Sequence, residues 1–185
     1  DKEKVEICLK TFEPIYNYGK LISLVKSYVT SKDSLMLHLV SRVTDVVIDA
    51  HGRKKVSIDQ EGTMREDTFD YVINVTYANV NQFTKWLGFP KKEIRLDVVE
   101  ALIIELPIPI ISLAVMDGPF SNLVPTGDSH IFTLVHIEES ILKRFVPSDG
   151  LIPPGLEMNS RAQSIIDKSR EWFPILEKAR LIESC

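Results

Sequence analysis

Apolar and polar residues nearly alternate at the start of the chain, where Val5, Ile7, Leu9 and Phe12 are separated by charged or polar neighbours. That two-residue period predicts a strand over 5–12 with one buried face. Pro14 disfavours helix at Glu13, and Asn17 is a suitable N-cap for a helix beginning after it. Leu21, Leu24, Val25, Tyr28 and Val29 then recur at helical spacing, the apolar stripe of an amphipathic helix. The apolar run Leu35 to Val40 fits a short buried strand. Val43 to Asp49 and Lys54 to Asp59 read as a hairpin around Ala50-His51-Gly52-Arg53, with a second turn at Glu61-Gly62. Asp70 to Val75 has the pattern of a buried strand ending in a polar loop, Asn74, Thr76, Ala78, Asn79 and Asn81. A helix is expected from Asn79 to Gly88, a suitable C-terminal stop before Phe89-Pro90.

The pattern changes after Pro90. Arg95 to Leu106, Ile110 to Met116, Phe120 to Val124 and Ile131 to His136 are β-type runs linked by short turns, which predicts a mostly antiparallel sheet. Turns are expected at Asp117-Gly118-Pro119 and Thr126-Gly127-Asp128, and a loop from Pro147 to Gly155. The tail has helical spacing at Ile165, Ile166, Ser169, Trp172, Phe173, Leu176, Ala179 and Ile182, with Pro174 forcing a break. Two helices are therefore expected, Glu157 to Glu171 and Pro174 to Ser184, with Trp172 and Phe173 packing the helical layer. The fold class is α+β of α/β derivation: mixed and antiparallel sheets with helices on one face. Residues 1–90 and 91–185 are expected to form two lobes.

Composition narrows the function classes. A net charge of −4 and the absence of a basic patch argue against a nucleic-acid partner. The longest apolar stretch, Ala101 to Val115, holds Glu105, Pro107 and Pro109 and is too short to span a bilayer. With no signal peptide and only Cys8 and Cys185, read as free thiols, a soluble cytoplasmic protein is expected. Cys185 directly after a helical pattern, without a capping glycine, suggests a chain cut short.

Candidate chemistry is sparse. Ligands of open α/β sheets bind outside the carboxyl ends of the strands, which draws attention to the loop after Val75. The same asparagines and threonine serve equally as turn formers and a helix cap. His130 and His136 are six apart and share a face of one strand, but no Glu or Cys at metal spacing accompanies them, so no metal site is assigned. His38, on an apolar run, reads as a core histidine. There is no G-x-S-x-G, no P-loop, and no pairable Cys–His constellation, so the catalytic residues are unknown.

Several segments, in order, resemble FAD-dependent oxidoreductases of the D-amino-acid oxidase type. Glu13-Pro-Ile-Tyr-Asn-Tyr-Gly-Lys-Leu-Ile-Ser-Leu is similar to the family's start of the helix after a substrate-domain strand. Ser41-Arg-Val-Thr-Asp-Val46 resembles the strand whose valine, here Val43, offers backbone groups to the adenine of FAD. Asp70 to Asn81 is similar to the strand-and-loop element "V-I-N-A-T-G", which implies that Thr76, Tyr77 and Ala78 lie close to the nucleotide. Val115-Met-Asp-Gly-Pro-Phe120 with Val124-Pro-Thr-Gly127 resembles a hairpin of the family's substrate-side sheet.

The resemblance implies FAD as cofactor, a small-molecule substrate, and oxidation of an amine or hydroxy compound in a complete protein. Two departures qualify it. Tyr77 stands where the family usually has Gly, adding bulk where backbone would approach the nucleotide. No G-x-G-x-x-G is present, and the segment that closes over the flavin is not evident, so this chain alone is expected to bind FAD weakly or not at all. The leading expectation is an incomplete FAD-dependent oxidoreductase, a substrate-domain fragment that exposes apolar surface and dimerises through it. The alternative is a non-enzymatic α+β binding or assembly module that has lost the cofactor site. A cofactor-independent hydrolase or transferase ranks below both, for want of a nucleophile with its base.

Overall fold

The computed structural model describes residues 5–12, 14–116, 120–127, 130–147, 152 and 157–185. Its elements run α1 (Tyr18–Thr30), β1 (Ser41–Ile48), β2 (Lys54–Gln60), β3 (Thr63–Phe69), a 3-10 turn (Tyr77–Asn79) and α2 (Val80–Trp86). They continue with β4 (Leu96–Val99), β5 (Leu102–Glu105), β6 (Leu113–Ala114), β7 (Ser121–Pro125), β8 (Ile131–His136) and β9 (Ile141–Phe145). The tail holds α3 (Ala162–Arg170), a second 3-10 turn (Pro174–Lys178) and β10 (Arg180–Ser184). This is an α+β fold, as expected. Two compact units are interleaved along the chain: residues 1–28, 101–137 and 162–185 make one, residues 29–100 and 138–161 the other.

In the first unit five strands pair antiparallel in the order β10-β5-β8-β7-β6. Alternation puts Leu102 and Ile104, Leu123, and Phe132 and Leu134 on one face, where they bury completely with Ile165 and Leu176. Each such side chain contributes roughly 1.5–3 kcal/mol of burial energy, before conformational entropy is subtracted. The Ser121 and Ser169 hydroxyls hydrogen-bond each other across this core at 2.5 Å, and Ser121 Oγ donates to the Val135 carbonyl at 3.2 Å. Phe173 is buried and Trp172 packs beside it, as the helical spacing predicts.

The second unit holds the three-stranded meander β1-β2-β3 and the two-stranded β4-β9. Its core is smaller: Val46, Val56 and Ile58 against Val43, Phe83, Trp86 and Leu87. The hairpin at Ala50–Arg53 forms as predicted, held by the last residue of the first predicted strand: Asp49 Oδ1 accepts the N–H groups of His51 (2.8 Å) and Arg53 (2.9 Å). The second turn places Glu61 and Gly62 at φ +52° and +84°, as a two-residue hairpin loop of the primed type requires.

On β4 and β9, Asp97 lies opposite Arg144, and the guanidinium donates through Nε and Nη2 to both carboxylate oxygens at 2.8 Å. That pairing holds the Asp97 carboxyl below its ordinary pKa. A lowered folded-state pKa gives stability that is present above the unfolded value, about 3.9, and is lost as pH falls through the folded value. The second unit should therefore lose stability below about pH 4. Asp97→Asn should flatten that acid limb in urea titrations; an unchanged slope would remove this pair from the account.

Several expectations are corrected. Residues 5–12 and 35–40 form no strand, and His38 is exposed rather than in a core. Asp70 to Val75 likewise form no strand, the preceding segment making β3 instead; Tyr71, Ile73 and Val75 are more than four-fifths exposed. In each case the apolar run finds no ladder partner among the described residues, and periodicity alone does not make a strand. The charged segment Met64-Arg-Glu-Asp-Thr68 becomes a strand because the Glu61-Gly62 turn folds it onto β2. Arg95 to Leu106 breaks at Glu100-Ala101 into β4 and β5, Ile110 to Met116 shrinks to β6, and β9 was not anticipated. The first tail helix starts at Ala162. The second is replaced by a 3-10 turn and β10, because β5 presents an edge whose ladder the tail completes. Helix α1 begins as predicted, with Lys20 N–H donating to Asn17 Oδ1 at 2.9 Å, but it buries no residue and its apolar stripe is exposed. Cys8 and Cys185 are both free and exposed. The turn at 117–119 and most of the loop from 147 to 155 lie outside the described residues.

Candidate functional site

A cleft of about 510 Å³ opens in the second unit, within the size range of small-molecule sites, about 300–1,000 Å³. Three segments build it. Strand β1 supplies Ser41, Arg42, Val43 and Thr44; the loop and 3-10 turn supply Thr76 and Asn79; α2 supplies Gln82, Phe83 and Trp86. β1 is an edge strand, so its outer side carries backbone donors and acceptors with no sheet partner among the described residues. The register shifts between Val43 and Asp45, a bulge at Thr44 whose hydroxyl donates to the Ser57 carbonyl at 3.3 Å. Such bulges re-aim backbone at the rim of a site.

The walls differ in chemistry. Phe83 and Trp86 meet edge to face, ring centroids 5.0 Å apart, and form the apolar side. Arg42, set opposite Asp59 by the strand register, makes no ion pair among the described residues. Asn74 Oδ1 accepts from both the N–H (3.1 Å) and the hydroxyl (2.6 Å) of Thr76, which fixes the loop as it reaches the cleft. Asn81 is buried and turned away from solvent. Its amide donates to the Lys92 carbonyl (2.9 Å) and accepts the Lys92 N–H (2.8 Å), bracing α2 against the following segment. Spacing alone could not separate this brace from its exposed neighbours.

The residues singled out by sequence fare differently. Val43 and Thr76 line the same cleft. Ala78 is half-buried and does not line it. Tyr77 is 93% exposed and does not line the cleft, so its bulk does not fill the space at issue. Its backbone, at φ +53°, sits in the left-handed region that favours glycine, the residue the family pattern has there. That conformation costs a non-glycine residue roughly 1–2 kcal/mol, and glycine's larger unfolded-state entropy offsets part of the relief. Tyr77→Gly should stabilise the second unit by about 0.5–1 kcal/mol, read from its urea midpoint; a clear loss would mean the ring makes contacts that matter. His136 is buried at the end of β8 and His130 is exposed, its Nδ1 3.1 Å from the Ile108 carbonyl. Among the described residues no group of three or more His, Cys, Asp or Glu could hold a metal ion. No helix among them is long and apolar enough to cross a membrane.

No protein-family model matches the sequence, and no curated protein matches it. Among solved structures the chain is similar to the crystal structure of CmlS, a flavin-dependent halogenase, with a TM-score of 0.51 and 13% identity. The chain shares a fold with part of that enzyme. The match covers 90% of this chain and 30% of CmlS, so the chain spans under a third of its neighbour. At this identity the likeness is one of fold and assigns no residue.

A nucleotide cofactor can be tested against the cleft. Edge-strand backbone at Val43, the aromatic wall and the unpaired Arg42 fit the adenosine part of a dinucleotide: hydrogen bonds for the base, apolar contact for its faces, a cation for a phosphate. The glycine-rich turn that would grip the pyrophosphate is not in the sequence.

Proposed function

We propose that this chain is part of a flavin-dependent oxidoreductase, and that its second unit supports the nucleotide end of FAD. The observation that carries the reading is the meeting of Val43 and Thr76 in one cleft, two positions far apart in sequence. The fold shared with part of a flavin-dependent halogenase supports it independently. In this role β1 offers backbone hydrogen bonds to the adenine, Thr76 and Ala78 bring the loop alongside, and Phe83 with Trp86 exclude water from one side. A bound flavin would supply hydride acceptance, chemistry that belongs to the cofactor. The finer reading is an enzyme of the D-amino-acid oxidase type that oxidises an amine or hydroxy compound. The exposed apolar stripe of α1 suits a chain that functions within a larger protein or a dimer.

The test compares the product of the native gene with this 185-residue chain by intact mass and visible absorption. The expected result is a heavier native product carrying flavin absorption, and a short chain that retains little flavin after added FAD. A native product that binds no FAD would overturn the reading and leave a binding or assembly module. Anaerobic bleaching of the native flavin by amines or hydroxy acids would support the finer reading; flavin that none of them reduces would remove it while leaving the flavoprotein reading in place.

A further inference from the structure

At the far end of the five-stranded sheet, cationic side chains gather around a second cleft, within the first unit and independent of the flavin reading. The register sets Arg180 of β10 opposite Glu105 of β5, and Glu105 opposite Ile131 of β8, so His130 arrives at the same sheet end. The second 3-10 turn ends at Lys178, two residues before Arg180. A cleft of about 300 Å³ is lined by Glu105, Pro107, His130, Lys178 and Arg180.

The charges are unevenly satisfied. Arg180 donates through Nε (2.7 Å) and Nη2 (2.5 Å) to the same oxygen of Glu105, which holds the guanidinium fork in place and leaves its other N–H groups exposed. Lys178 has no ion-pair partner among the described residues. His130 Nδ1 donates to the Ile108 carbonyl at 3.1 Å, which leaves Nε2 as the ring's other polar atom. Two cations against one carboxylate make this spot positive on a chain of net charge −4.

We propose that this cleft is a binding site for a small oxyanion, a phosphate or carboxylate group, held by Lys178 and the outer N–H groups of Arg180 with His130 at its rim. The geometry suits a planar or tetrahedral anion, since a fork fixed by one carboxylate can offer its remaining donors to a second. Glu105 opposes the anion and limits the affinity; its role is to keep Arg180 in position.

The test uses the 185-residue chain and two probes, inorganic phosphate and acetate, titrated at constant ionic strength while the imidazole proton resonances of its four histidines are followed by NMR. His130 is assigned by comparison with His130→Gln. The expected result is a saturable shift of the His130 signals with phosphate, acetate or both, weakened about tenfold in Lys178→Gln, the loss expected for one charge-assisted hydrogen bond. The probe that binds identifies the source of the anion. Circular dichroism confirms that Lys178→Gln, an exposed substitution, stays folded. No saturable shift with either probe, or a shift unchanged in Lys178→Gln, would overturn the proposal.

Discussion

Replacing Asn81 by alanine should lower the stability of the second unit by about 2–4 kcal/mol, because two backbone groups lose their partners at once. The Asn81 amide both donates to and accepts from the Lys92 peptide, and the residue is 2% exposed. Alanine leaves the Lys92 N–H and carbonyl partly buried with nothing in their place, and each such group carries a desolvation penalty of about 1–3 kcal/mol. Asn81→Asp should be no milder, since it keeps the acceptor but turns a second oxygen toward the Lys92 carbonyl. The measurement is a urea transition followed by Trp86 fluorescence in a Trp172→Phe background, because the two tryptophans fall in different units. A shift equivalent to less than about 0.5 kcal/mol, the range of ordinary surface substitutions, would show that the brace is dispensable. Since α2 carries Gln82, Phe83 and Trp86, loss of the brace should also weaken any ligand bound in the larger cleft.

A comparable loss, about 3 kcal/mol or more, is expected from Glu100→Ala. Glu100 is 3% exposed at the junction of β4 and β5. Its carboxylate accepts from the Ser160 hydroxyl at 2.5 Å and from the Arg161 N–H at 2.6 Å, while its own N–H donates to the Ser140 carbonyl at 2.8 Å. The side chain therefore ties stretches of chain sixty residues apart within one unit. Short charge-assisted hydrogen bonds of this kind are roughly twice as strong as neutral ones, and their donors are left wanting when the carboxylate goes. Glu100→Gln separates shape from charge: it fills the same space but must set an N–H against one donor, so it should recover only part of the loss. Full recovery by glutamine would mean that packing, rather than the carboxylate, joins these segments.

Neither residue was legible beforehand, and the reason is physical. Asn81 sat among Asn74, Thr76 and Asn79, all of one polar type, and only the approach of Lys92 distinguishes it. Glu100 is one of four charges, with Arg95, Asp97 and Glu105, in a largely apolar run; its carboxylate's partners lie sixty residues on, a separation that no local pattern encodes. Val43 and Thr76 came from a family resemblance, and the tertiary fold puts them on one cleft. Arg42, Gln82, Phe83 and Trp86 share that cleft without any local sequence signal, because a helix face and a strand edge meet only in three dimensions.

Local signals determined what depends on neighbouring residues. Asn17 caps α1, Glu61-Gly62 turns β2 into β3, Gly88 closes the stretch after α2 at φ +68°, and alternation sets the inward faces of β5, β7 and β8. These follow from backbone sterics and side-chain period, which act over a few residues. What only the tertiary structure decided was which apolar runs become strands and how the tail ends. Residues 5–12, 35–40 and 70–75 have the composition of strands but no ladder partner among the described residues, so their apolar side chains stay exposed. Residues 180–184 continue a helical apolar period, yet they pair with β5. A strand is completed by hydrogen bonds from another strand, and that partner is supplied by the fold rather than by the segment itself.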